Sequence, residues 1–181
     1  MNRGGRVPMH RLRAGDLSLE PLLASHADAM FEVLSDPAIY EYENEPPPSV
    51  HALRERYARL ESRLSPDGQE IWLNWVVRLG TGEAIGFVQA TLRPDGQAAV
   101  AYELASDYWG RGLASQAVRA MLLELVERYQ ARDLWAVLKR VNHRSQRLLQ
   151  RAGFALASPA EHSRRQIDAD EMLMHLPVPA G

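Results

Sequence analysis

Between Asp16 and Leu23 the apolar Leu17 and Leu19 alternate with polar neighbours, the two-residue period of a half-buried strand. The rhythm then lengthens. Ala29, Met30, Val33 and Leu34 recur at helical spacing, with Ser25 and Asp28 set as a capping box in front and Pro37 closing the segment. Ser49 is expected to cap a second helix reaching about Leu64, on Leu53, Tyr57, Leu60 and Leu64, with Arg54, Arg56, Arg59 and Arg63 on a solvated outer face. The segment between them, Tyr40 to Pro48, carries three consecutive prolines and is excluded from regular structure.

Further on, Ile71 to Leu79, Ala84 to Leu92 and Ala98 to Ala105 are apolar enough for central strands. The turn sequences GTGE and Pro94-Asp95-Gly96 join them into an antiparallel meander. Gly112 to Gln130 is a long amphipathic helix whose stripe of Val118, Met121, Leu122, Leu125, Val126 and Tyr129 must face the sheet. Leu134 to Leu138 is a strand, Asn142 to Ala152 a helix, Phe154 to Ala157 a short strand and Glu171 to Leu176 a closing one. The expected fold is a single α/β domain with a mixed, largely antiparallel sheet of six to seven strands and helices on both faces.

Length and charge narrow the function. A chain of 181 residues fits one domain, burying about 70% of its unfolded surface. We expect a flexible N-terminal arm over residues 1–14 and the domain over 15–178. The chain has no cysteine, so disulfides, thiolate metal sites and a cysteine nucleophile are ruled out, which suits a cytoplasmic protein. The net charge is −2, and 20 of the 21 basic residues are arginines scattered along the chain, so no nucleic-acid partner is expected. The excess of arginine over lysine, with many alanines, points to a GC-rich bacterial genome. The basic N-terminus lacks an apolar region behind it and no 18-residue apolar run occurs, so no membrane association is expected. Six histidines show no ligand spacing, and no metal is expected.

The chemistry gathers at YWGRGLA, Tyr108 to Ala114. Gly110 and Gly112 let the backbone bend and approach a ligand, and the helix that follows leaves its first amides unpaired. With the helix dipole and Arg111 beside them, these amides form an anion cradle suited to a pyrophosphate. A glycine turn with no ligand has the same local pattern. Neither a P-loop nor a GxGxxG dinucleotide site is spelled out here.

About thirty residues on, NHRSQRLLQRAGF, Asn142 to Phe154, supplies the second half of the pattern. Together the two stretches resemble the GCN5-related N-acetyltransferase (GNAT) superfamily, within it the RimJ/RimL branch, over about Asp16 to Pro177. Trp109 departs from the glutamine or arginine of the general pattern, as that branch commonly does. The resemblance implies that acetyl-CoA is the donor and that Trp109, Gly110, Arg111, Gly112, Leu113, Ala114 and Ser115 hold its pyrophosphate. It implies that the pantetheine arm pairs with the free strand edge at Leu104, Ala105 and Ser106. The amide of Ala105, or a neighbour, would then hold the oxyanion.

Transfer to an amine needs a base, since a Lys-like ammonium has a pKa of about 10.4, and an acid for the departing thiolate. Glu103 is the base candidate, beside the edge and on the face shared with Ala101 and Ala105. A Glu–Arg ion pair would explain it equally, Glu83 and Glu43 are weaker candidates, and a water relay needs no single base. Many superfamily members place a tyrosine acid on the last helix, but Leu149 occupies that position. The branch offers Ser145 instead. Asn142 would bind the pantetheine amide or an ordered water, or serve as an N-cap, and Arg147 would reach the nucleotide phosphate. The loop with Glu41, Tyr42, Glu43 and Glu45 would suit a cationic acceptor, or be an exposed acidic loop and nothing more. The expected function is direct acetyl transfer from acetyl-CoA to a primary amine, on a small molecule or a peptide N-terminus. The alternative is a non-catalytic acyl-CoA sensor or interaction module. Apolar residues on the C-terminal strand leave room for a homodimer.

Overall fold

The computed structural model describes residues 7–42 and 44–179. Eight strands form one sheet: β1 (Leu12–Ala14), β2 (Leu17–Pro21), β3 (Ile71–Arg78), β4 (Ala84–Leu92), β5 (Gln97–Leu104), β6 (Asp133–Lys139), β7 (Ala155–Leu156) and β8 (Glu171–Pro177). Their order across the sheet is β1-β2-β3-β4-β5-β6-β8-β7. Among the described residues five α-helices accompany them: α1 (Ala27–Val33), α2 (Val50–Leu60), α3 (Leu113–Glu127), α4 (His143–Arg151) and α5 (Pro159–Arg164).

Strands β3 to β5 form the expected antiparallel meander, and β2 pairs antiparallel with β3 beside it. One face carries the larger core, where Ala117, Val118, Met121 and Leu125 of α3 meet Leu73, Trp75 and Val100 of the strands. On the other face α1 and α2 bury Met30, Val33, Leu53 and Tyr57 against Val76. The helices therefore lie on both faces, and α3 and α4 share the larger core.

Several local expectations are corrected. The sheet has one strand more than the upper count expected, because β1 pairs with β2 from Leu12↔Leu19 to Ala14↔Leu17. From Val7 onward the expected loose arm is fastened: Arg63 donates to the Val7 carbonyl, Tyr129 Oη to that of Pro8 and Trp75 Nε1 to that of His10. Residues 1–6 lie outside the described residues. The Ser25–Asp28 capping box does not form. A 3-10 turn over Ala24–His26 precedes α1, and His26 Nδ1 accepts from the Leu23 amide at 3.0 Å. Helix α5, capped by Ser158 with Pro159 in its first turn, has too short an apolar pattern to be read from sequence.

Candidate active site

The site begins where the sheet comes apart. Strands β5 and β6 run parallel and pair only over Gln97↔Asp133, Ala98↔Leu134 and Ala99↔Trp135. Beyond these three rungs they diverge, and a cavity of about 650 Å³ opens between Val100–Leu104 and Ala136–Leu138. Helix α3 begins at its mouth. Gly112, its N-cap, has φ 75°, and Gly110 has φ 71°, both left-handed. A Cβ at either would touch nothing within 4 Å, so these glycines are required by conformation and not by space. The first helical bond runs from Gln116 N to Gly112 O, leaving the amides of Leu113, Ala114 and Ser115 without intrahelical partners at the cavity wall.

Not every residue expected in the cradle is there. Trp109, Gly110, Gly112, Leu113, Ala114, Ser115, Asn142, Ser145 and Arg147 line the cavity. Arg111 does not; its guanidinium lies 5.4 Å from the centre of the Tyr108 ring. Trp109 closes the far end of the edge through its own ring, donating Nε1–H to the Leu104 carbonyl at 2.8 Å while Arg144 stacks over it at 3.3 Å.

The strand edge is corrected by its parity. Ala105 N–H donates to Ile85 O at 2.9 Å, continuing the β4–β5 ladder, and Ser106 N–H donates to Asp36 Oδ2 at 2.6 Å. Neither amide faces the cavity. Alternation along an antiparallel ladder instead turns the amides of Tyr102 and Leu104 outward to the cleft. Leu104 N–H meets the Glu103 carboxylate there, at 3.2 Å from Oε1. Of the three residues expected at the edge, Leu104 alone turns its amide toward the cleft.

A second cavity, about 300 Å³, lies on the α1–α2 face between the proline-rich loop, α2 and the meander. Tyr42 and Glu45 line it, and Glu43 falls outside the described residues. Its walls include Leu34, Ile39, Leu60 and Phe87. Ala101, Tyr102, Glu103, Asn142 and Arg144 line both cavities, so the two spaces meet at these five residues. Glu103 stands at that junction, whereas Glu83 lies outside it and accepts the Tyr108 hydroxyl at 2.5 Å.

Helix α4 brings the remaining groups. Asn142 is an N-cap, its Oδ1 accepting from Ser145 N at 3.0 Å. Ser145 Oγ lies 2.6 Å from the Tyr102 hydroxyl. Burial pushes the Tyr102 phenol up to about 12, so it stays neutral and able to donate throughout the physiological range. Leu149, on the same helix α4, is 1% exposed. Tyr102 was not among the expected site residues, since a tyrosine alternating with Val100 and Leu104 has the pattern of core.

A sheet parted between its two parallel strands, with a helix N-terminus at the parting and a second cavity meeting it at one carboxylate, is the architecture of a protein that brings two ligands together. The chain belongs to the acetyltransferase (GNAT) domain family, whose model matches residues 16–155. It is 28% identical over 116 residues to the uncharacterized N-acetyltransferase p20 of Bacillus licheniformis, a match spanning 63% of this chain and 65% of that protein. In three dimensions it resembles RimL, a ribosomal L7/L12 alpha-N-protein acetyltransferase in complex with coenzyme A, with TM-score 0.79 and 17% identity over 95% of this chain and 100% of that one. RimJ of Mycobacterium smegmatis in complex with CoA-disulfide aligns with TM-score 0.73 and 22% identity, over 98% and 90% of the two chains.

Proposed function

We propose that the protein transfers the acetyl group of acetyl-CoA to a primary amine by direct attack, without an acyl-enzyme intermediate. The observation that carries this reading is the meeting of the two cavities at Glu103. The larger space fits the donor: unpaired amides of Leu113 to Ser115 and Arg147 suit the phosphates, and the free β5 edge suits the amides of a pantetheine arm. The smaller space suits the acceptor.

In this arrangement the Leu104 amide polarises the thioester carbonyl and holds the oxygen as it gains negative charge. The carbonyl takes the place of the Glu103 carboxylate on the Leu104 amide, and the carboxylate turns toward the amine. Glu103 then receives the ammonium proton, the C–N bond forms and the C–S bond breaks. Ser145 supplies a proton to the departing thiolate and is re-supplied by the Tyr102 hydroxyl. Glu103 passes the ammonium proton to solvent and takes a second proton from nitrogen as the amide forms, and solvent returns one proton to Tyr102, so two protons leave nitrogen, one reaches sulfur and one is released.

The test is release of coenzyme A thiol from acetyl-CoA in the presence of amines of different classes. The absence of cysteine keeps the protein silent in a thiol assay. Acceptor-dependent release that falls on Glu103→Gln supports the transferase. Tight coenzyme A binding with no release from any amine would establish a sensor module instead.

A further inference from the structure

The described lining of the acceptor cavity carries no excess of negative charge. Among the described residues its lining holds two carboxylates, Glu45 and Glu103, and two guanidiniums, Arg56 from α2 and Arg144 from α4. Neither arginine makes an ion pair among the described residues, although carboxylates line the same space. Arg144 instead stacks on Trp109, which fixes its plane at the junction of the two cavities.

Both cations act on the groups around Glu103. The Tyr40 phenol is raised by burial, pulled further up by Glu103 and drawn back by Arg56. The Tyr102 phenol, also raised first by burial, is pulled up by Glu103 and drawn back by Arg144. The carboxylate expected to take the amine proton therefore shares its neighbourhood with two positive charges. A polyamine or aminoglycoside would have to set its further ammonium groups against them. An amine carrying its own carboxylate would be matched at both ends, because a planar guanidinium pairs with a carboxylate through two parallel donors. The apolar wall of Leu34, Ile39, Leu60 and Phe87 then calls for an apolar body, in a space of about 300 Å³.

We propose that the acceptor is a zwitterionic amine, an α-amino acid with an apolar side chain, whose carboxylate is bound by Arg144 and Arg56 while its amine meets Glu103. This rests on the acetyltransferase reading, and it replaces the cationic acceptor that the acidic loop suggested.

The experiment measures thiol release with L-leucine, L-leucinamide, isoamylamine and spermidine, and in parallel the binding of the same four compounds to protein saturated with coenzyme A. Leucine is expected to have a KM and a Kd at least about tenfold below those of the other three, the worth of one charge-assisted hydrogen bond. Arg56→Gln and Arg144→Gln should each shrink the leucine-to-isoamylamine ratio severalfold, with coenzyme A affinity measured in each variant. Equal or better handling of leucinamide, isoamylamine or spermidine overturns the proposal, and so does binding of none of the four. An arginine-dependent preference for leucine in binding, with no thiol released from any compound, upholds the zwitterion site and removes the transferase reading instead.

Discussion

Glu103 and Ser145 sit on different elements, and the two proton movements assigned to them are separable by kinetics. Replacing Glu103 by glutamine keeps an acceptor for the Leu104 amide but removes the base, so kcat/KM should fall by roughly 10²-fold or more. A loss that vanishes as the pH is raised past the acceptor's own pKa would confirm that Glu103 handles the amine proton; a fall of less than threefold at neutral pH would give the role to another group. Ser145→Ala removes the partner of Tyr102, whose hydroxyl lies 2.6 Å from Ser145 Oγ. We expect it to lower kcat by about tenfold or more, and Tyr102→Phe to lower it less. If the donor is a thioester with a leaving group of low pKa, both losses should shrink, because a thiolate that leaves easily needs no acid. An unchanged loss would remove the relay.

Element by element, the donor cleft depends on where α3 starts and the acceptor cavity on where the loop after α1 is tied. Gly112→Ala adds a Cβ that touches nothing but must be held at φ 75°, a strain of about 1–2 kcal/mol. Relaxing that strain turns the first amides of α3 away, and the Kd for coenzyme A should rise by about tenfold; a Kd within twofold would remove the cradle. Asp36 fastens the loop to the end of β5, accepting from Ser106 N and from Ala38 N. Burial opposes ionisation of its carboxyl, but the hydrogen bonds outweigh it and hold the pKa below the ordinary 3.8. The tie is therefore fully present above that value and is lost as pH falls through the folded-state pKa. Asp36→Ala should cost about 1–3 kcal/mol at pH 7 and lose that difference as the pH falls through the folded-state pKa, read as the gap between denaturation midpoints. A gap independent of pH would mean the carboxylate is not what holds the loop.

These two elements also mark how far the sequence could be read. The α3 stripe was legible because fifteen residues repeat a helical period, and the meander because its turns announce themselves. The three residues of β1 show no period, and the Asp36–Ser106 tie joins positions seventy residues apart with nothing local to signal it. The edge was misassigned by one residue for a related reason. Which amides of β5 face the cleft depends on the register with β4, and register is a property of the pair, not of either strand. Tyr102 was hidden because it alternates with Val100 and Leu104, both buried in the core.

For the molecule as a whole, the parting between β5 and β6 divides the sheet into a meander side and a β6-β8-β7 side that share a ladder of only three rungs. Backbone groups along the open part have no partner strand, so a ligand that supplies one acts as a temporary strand. If the pantetheine arm of coenzyme A takes that place against β5, the amides of Tyr102 and Leu104 should exchange with solvent more slowly when the ligand is bound. At 100 times Kd the complex is about 2.7 kcal/mol more stable than the free protein, which sets the overall scale. Protection beyond that scale can arise only where the ligand itself blocks or bonds the amide. We expect such protection at Leu113 to Ser115 and at Tyr102 and Leu104, with less along Ala136–Leu138, whose other edge already pairs with β8. The nucleotide fragment 3′,5′-ADP should leave the β5 amides as they are in the free protein. Equal protection of β5 by the fragment and by the whole ligand, or none from either, would show that the parted strands do not hold the arm.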